Sequence, residues 1–229
     1  MLPAANRDRL NDKTKIAIIG GHGKVALHLA RLLTTAGHEV SSLIRTPEQA
    51  ADVSATGATP LQADVENLSA DQLTTLLAGH DAIVWSAGAG GGSAARTYAV
   101  DRDAAIRSMV AAAQAGIYRY VMVSYKGSRA DHGASPDDGM FAYYEAKAAA
   151  DDYLRATSLN WTILGPSALT LDAASGSINV GSDSARGDTS RENVALVAAA
   201  VLASDNSIGK FIEFTDGDVP VGEAIAAVH

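Results

Sequence analysis

Tyr143 and Lys147 stand four residues apart in Phe141-Ala142-Tyr143-Tyr144-Glu145-Ala146-Lys147, a spacing that brings two side chains to one face of a helix. A nearby ammonium lowers a phenol from its ordinary pKa of ~10, so such a pair suits proton transfer to or from a carbonyl or hydroxyl. Tyr144, three residues from Lys147, competes for the role on spacing alone. Ser124 closes the apolar run Tyr120-Val121-Met122-Val123-Ser124, where its hydroxyl could hold a reacting oxygen. Each residue also has an ordinary reading: an amphipathic surface tyrosine, a solvated helix charge and a strand-end cap.

A second constellation is Lys15-Ile16-Ala17-Ile18-Ile19-Gly20-Gly21-His22-Gly23-Lys24-Val25-Ala26. An apolar strand ends in glycines and passes straight into a helical pattern, the arrangement that holds a dinucleotide pyrophosphate on a helix N-terminus. Bare backbone at Gly20 and Gly23 is expected to let amides approach phosphate oxygens, and the small Ala26 lets the helix pack on the sheet. The turn is not a P-loop, because Val25 follows Lys24 where Ser or Thr is required. His22 either touches phosphate or ribose or is satisfied by backbone. The second strand ends Leu43-Ile44-Arg45-Thr46. Arg in this place suits a 2′-phosphate, whereas an acidic residue would suit a 2′-hydroxyl, so NADP(H) is expected over NAD(H). Asp64 and Val65 follow the third strand, where they either meet adenine or form a loop cap. Ser86-Ala87-Gly88 follow the fourth and bring bare backbone toward the cofactor ribose, which Lys147 could also hold.

The elements that must position these groups alternate along the chain. Strands are expected at 15–19, 39–44, 59–63, 81–85, 120–124, 161–164 and 211–214, and helices at 25–36, 46–55, 70–77, 96–115, 143–157 and 191–203, with a last short helix at 221–228. The early strands are apolar throughout their centres, as in a sheet covered on both faces. The alternation predicts an α/β fold with a doubly wound parallel sheet. Gly37, Gly57, Gly79 and Gly116 fall where helices should end. Three stretches break the rhythm, 88–93, 126–139 and 166–190. All follow strands, on the edge where open α/β sheets bind ligands.

The chain has 229 residues, 47% of them apolar, and a net charge of −8, which fits one packed domain over 15–229 behind a loose tail at 1–14. With no cysteine, disulfides, thiolate metal sites and cysteine nucleophiles are excluded. No basic block offers a track for nucleic acid, and no apolar run is long enough to span a membrane. A cytoplasmic location follows by default. The six histidines form no pair with zinc spacing, so no metal is expected. Met122 two residues before Ser124 excludes a Gly-x-Ser-x-Gly nucleophile elbow. Small-molecule ligands are expected; a monomer and a homodimer are both compatible with the Ala-rich helices.

These segments, together with Asn160-Trp161-Thr162-Ile163-Leu164-Gly165-Pro166 and Asp188-Thr189-Ser190-Arg191-Glu192-Asn193-Val194-Ala195, resemble the short-chain dehydrogenase/reductase superfamily in its atypical NAD(P)H-binding branch. Members are often labelled candidate sugar-nucleotide epimerase/dehydratases or nitrogen-metabolite-repressor-like proteins. The resemblance runs from about Lys15 to the C-terminus. It implies a Rossmann-type, three-layer α/β/α domain with a small C-terminal substrate region. Gly20, Gly21, His22, Gly23, Lys24 and Val25 would carry the pyrophosphate, Arg45 the 2′-phosphate, and Asp64 and Val65 the adenine. Ser86, Ala87 and Gly88 match the ribose loop, although the best-known branch has Asn-Ala-Gly there. Ser124, Tyr143 and Lys147 match the Ser–Tyr–Lys positions. Pro166 and Ser167 would border the nicotinamide amide, with Gly165-Pro166 in place of a common Arg-Pro. The chain is short for a sugar-nucleotide epimerase. The leading reading is an NADP-dependent reductase of a small carbonyl or quinone-like compound; the alternatives are a non-catalytic NADP(H)-sensing regulator and a sugar-nucleotide epimerase/dehydratase.

Overall fold

The computed structural model describes residues 13–91, 93–181 and 187–228. The expected tail lies outside the described residues except for Lys13 and Thr14, as do Gly92 of the glycine run and part of the 166–190 stretch. Lys13 and Thr14 belong to the fold, which corrects the tail boundary. Thr14 O accepts the Glu39 amide at 2.9 Å, and Lys13 Nζ pairs with Glu39 at 2.7 Å.

In chain order the elements are β1 (Lys15–Ile19), α1 (Lys24–Thr35), β2 (Glu39–Ile44), α2 (Ala50–Ser54), β3 (Thr59–Gln62), α3 (Ala70–Leu77), β4 (Ala82–Trp85), α4 (Ala94–Thr97), α5 (Ala105–Gln114) and β5 (Arg119–Val123). There follow α6 (Phe141–Arg155), β6 (Asn160–Pro166), β7 (Leu169–Thr170), β8 (Ser177–Val180), β9 (Thr189–Ser190), α7 (Arg191–Leu202), β10 (Lys210–Asp216), β11 (Val219–Pro220) and α8 (Val221–Ala226). Short 3₁₀ turns at Pro47–Gln49 and Asp205–Ser207 and a π-helical segment at Tyr98–Ala104 complete the path.

One nine-stranded sheet runs β11-β8-β10-β6-β5-β4-β1-β2-β3. The strands from β3 to β10 pair in parallel. Alternate residues of β1 enter different cores, since successive strand side chains face opposite ways. Ile16 and Ile18 join the core under α1, α7 and α8. Ala17 and Ile19 join the core under α3, α5 and α6. Helix α1 contributes a stripe of Val25, Ala26, Leu29, Ala30 and Leu33 to the first core, the pattern of a helix lying on a sheet. The three-layer, doubly wound arrangement is therefore present. The four expected helix-ending glycines all have positive φ.

Three expectations need correction. The sheet is not wholly parallel, because β8 runs antiparallel to β10 and β11. The 166–190 stretch is not irregular throughout; it holds β7, β8 and β9, and β7 pairs with β9. The expected helix at 96–115 is interrupted by the π segment. The first two differences come from pairings between residues distant in sequence, which local pattern does not carry. Among the described residues, no helix is long and apolar enough to cross a membrane.

Candidate active site

After β1 the chain goes outward to β2 and β3, then returns to β4 on the other side of β1. Open α/β sheets bind ligands at the carboxyl ends of strands around such a reversal. Two adjoining clefts lie there. The first, about 300 Å³, is lined by Gly20, His22, Gly23, Arg45, Gln49, Asp64, Val65, Arg96 and neighbours. The second, about 450 Å³, is lined by Val25, Asp101, Ser124, Met140, Tyr143, Lys147 and Leu169 among others. Ser86, Ala87, Gly88 and Ala89 form a wall common to both.

The glycine turn works differently from expectation. The Gly21 amide donates to Leu43 O at 2.8 Å and the Gly23 amide to Gly20 O at 2.9 Å, so neither is free for a ligand. The glycines are required by close approach instead. Gly20 has φ +84°, and a Cβ there would stand 2.5 Å from Ala87 Cα. A Cβ on Gly21 would stand 2.5 Å from Ser42 Cβ. The donors left over belong to the helix. Its first bond runs from Leu27 N to Gly23 O, so the amides of Lys24, Val25 and Ala26 keep the unfilled positions of any helix start. No side chain caps that end and no acidic residue lies in its first turn. This is a cradle for an anion, with the helix dipole adding to it.

Around the cradle, His22 is held by a carboxylate and not by backbone: its Nε2 lies 2.8 Å from Asp52 Oδ2. Arg45 is exposed at the end of β2, and its own amide donates to Gln49 Oε1 at 3.0 Å. Asp64 is partly used as a loop brace, accepting from Asn67 Nδ2 at 2.6 Å. The loop is braced again by Arg107, which donates to the carbonyls of Val65, Glu66 and Leu68. Arg96 spans from Glu66 (3.2 Å) to Ala89 O (2.6 Å) and so ties the loop after β3 to the shared wall.

In the second cleft the structure brings Ser124, Tyr143 and Lys147 together. Tyr144 does not line the cleft. Its ring packs with Tyr125, Tyr143 and His132 at 5.4–6.0 Å. The expected effect of Lys147 on the phenol is corrected. Burial, followed by the charges of Asp101 and neighbouring groups, pushes Tyr143 well above the ordinary phenol range. The Lys147 ammonium, 2% exposed, donates to Val123 O at 2.8 Å, and its charge acts on Asp101 and Asp151. Ser124 Oγ donates to Asp151 Oδ2 at 2.5 Å, and Ser128 Oγ reaches the same oxygen at 2.6 Å. With its proton committed there, Ser124 presents lone pairs to the cleft. Burial raises the Asp151 carboxyl, against the pull of Lys147 and the two serines.

Of the expected site residues, Gly20, His22, Gly23, Arg45, Asp64 and Val65 line the first cleft, and Val25, Ser124, Tyr143 and Lys147 the second. Ser86, Ala87 and Gly88 line both. Four do not meet either. Gly21 is packed on Ser42, and the Lys24 side chain lies in a separate hollow beside His28 and Arg31. Pro166 is the last residue of β6, its carbonyl taken by Lys126 N at 2.8 Å. Ser167 is tied by its amide to Phe214 O and by its hydroxyl to Thr189. Asp101, Asp151, Arg96 and Gln49 were missed. Asp151 lies four residues past Lys147 on the same helix face, a spacing that was available in the sequence.

The sequence model of the NAD(P)H-binding family matches residues 20–205. An uncharacterized sugar epimerase of Bacillus subtilis, YhfK, is 33% identical, over 92% of this chain and 98% of its own. A protein of Bacillus halodurans described as a candidate NAD-dependent epimerase/dehydratase is 31% identical, with a TM-score of 0.85 over 93% of this chain and 98% of that one. The oxidoreductase ylbE of Lactococcus lactis is 29% identical, with a TM-score of 0.82 over 93% and 96%. The chain belongs to the NAD(P)H-binding family. The uncapped start of α1, the side-chain-free wall at Gly20 and Gly88, and the exposed Arg45 fit such a dinucleotide.

Proposed function

We propose that the protein is an NADPH-dependent reductase of a small carbonyl or quinone-like compound. One observation carries this: Tyr143, Ser124 and Lys147 line a cleft that shares its wall with the cleft at the start of α1. The amides of Lys24, Val25 and Ala26 bind the diphosphate. Arg45 pairs with a 2′-phosphate, for which a guanidinium is geometrically suited. Asp64 and Val65 border the adenine. Lys147, whose ammonium is held by Val123 O, would offer a remaining N–H to the ribose beside the second cleft. A reduced nicotinamide held here would supply the hydride. Tyr143 Oη then delivers a proton to the carbonyl oxygen of the substrate, completing an alcohol. Its phenol, raised by burial, is a weaker acid than a free tyrosine, so it gives up the proton only to a strongly basic oxygen such as the forming alkoxide. Ser124 accepts a hydrogen bond in the cleft and so orients a hydroxyl there.

Titration with NADPH and NADH, followed by a panel of aldehydes, ketones and quinones, tests the reading. Tyr143→Phe is expected to lower turnover by about 10²–10⁴-fold, and Tyr144→Phe to leave it nearly unchanged. Arg45→Asp is expected to move the preference from NADPH toward NADH. Tight cofactor binding without turnover of any acceptor would instead support the sensor reading.

A further inference from the structure

Asp101 sits within the π-helical segment Tyr98–Ala104, a winding that recurs at functional sites. The residue is 2% exposed and lines the second cleft. Its Oδ2 accepts the Ala89 amide at 2.9 Å. No donor among the described residues reaches its Oδ1, an oxygen of a residue that lines the cleft. A Cβ at residue 88 would stand 3.1 Å from Oδ1, so the glycine keeps that oxygen uncovered. Asp101 and Lys147 are the only charged groups among the described residues of this cleft, and the Lys147 ammonium is engaged by Val123 O. Arg96, whose charge reaches Asp101, donates to Ala89 O and Glu66 and not to Asp101, and the adjacent Arg102 donates to Asp103. A largely buried carboxylate oxygen with an open acceptor position is unfavourable until a donor fills it.

We propose that Asp101 is the specificity-determining residue of the second cleft. Its Oδ1 accepts a hydrogen bond from a hydroxyl, amide or ammonium group beside the reacting carbonyl. The cleft therefore takes hydroxy- or amino-substituted carbonyl compounds and turns away carboxylates. The chemistry rests on the reductase reading; the recognition rests on the cleft alone.

Three ketones of one skeleton test it: hydroxyacetone, butan-2-one and pyruvate, each with the full chain and NADPH. Wild type is expected to favour hydroxyacetone over butan-2-one by roughly 10- to 100-fold in kcat/KM, the worth of one hydrogen bond to a charged group, with pyruvate below both. Asp101→Leu should level the first two. Asp101→Asn, which keeps the shape and removes the charge, should raise pyruvate by roughly tenfold. Gly88→Ala keeps the carboxylate but crowds and covers Oδ1, and should also reduce the hydroxyacetone preference if the Asp101 variants fold poorly. Saturation-transfer NMR with NADP⁺ present reads the same order as binding. Ratios unmoved by all three substitutions overturn the assignment even where turnover is good. A wild type that prefers pyruvate, or that holds cofactor yet binds no hydroxyacetone, overturns it too. Binding in the expected order without turnover removes the reductase reading and leaves Asp101 in its role.

Discussion

Gly20→Ala is the sharpest test of how the two clefts are joined. At φ +84° an L residue carries strain of about 1–2 kcal/mol. The new Cβ would also stand 2.5 Å from Ala87 Cα and 2.6 Å from Ala87 N. Both are backbone atoms, so no rotamer change relieves the contact, and overpacking of this kind costs about 1–3 kcal/mol. The sum is about 2–5 kcal/mol, against a total of about 5–15 kcal/mol for a domain. For a chain of this size it corresponds to a fall in Tm of roughly 4–20 °C. Gly37→Ala supplies the control. Its φ is +95°, but nothing lies within 4 Å of the added Cβ, so only the strain remains and Tm should fall by roughly 2–8 °C. The two variants should also differ in NADPH affinity. Ala87 belongs to the shared wall, whereas Gly37 follows the far end of α1. Thermal unfolding by circular dichroism and calorimetric NADPH titration read both quantities. Equal losses of Tm together with equal NADPH affinities would refute the packing argument.

Arg119 is tested by Arg119→Met. Its guanidinium, lowered by burial to a pKa of about 10, donates to Asn160 O, Val201 O and Ser207 Oγ. Stranding those acceptors should cost about 2–5 kcal/mol in denaturant unfolding, without altering NADPH affinity. Asp151 predicts a pH signature. Its carboxyl is raised in the fold, so it holds a proton more tightly folded than unfolded. Its stabilising share is complete below the ordinary carboxylate value of ~3.9 and fades as pH rises through the raised folded value. Asp151→Asn removes that slope, so its stability relative to wild type should climb from acid to neutral pH. A flat difference in urea midpoints would contradict this.

Much of the architecture was legible because its causes are local. Apolar runs such as Ile16–Ile19 and Val121–Val123 mark strands covered on both faces, and glycines after helices mark left-handed ends. The glycine turn was found, but its mechanics were not. Whether an amide is free depends on partners such as Leu43 O, which lies on another strand. Ser177–Val180 alternates polar and apolar residues over only four positions, too short a signal to stand out, and its place is set by pairing with β10 and β11. Nothing in the sequence marks Asp101 and Asp151 as buried, because burial is decided by what packs on the helix. The direction of the Lys147 ammonium was illegible for the same reason: proximity in spacing does not say which acceptor, Tyr143 or Val123 O, the side chain reaches.

The wide turn at Tyr98–Ala104 implies a hidden route for evolutionary change. An α-helix advances about 100° per residue, so deleting one residue from this wider winding would let the helix run straight while swinging everything before it by about that angle. Arg96 would then leave Ala89 O, while α5 kept its seat on the sheet. A single codon lost or gained here would redraw the ligand-facing floor and turn Val100 out of the second core, while the part of that core under α5 stayed in place.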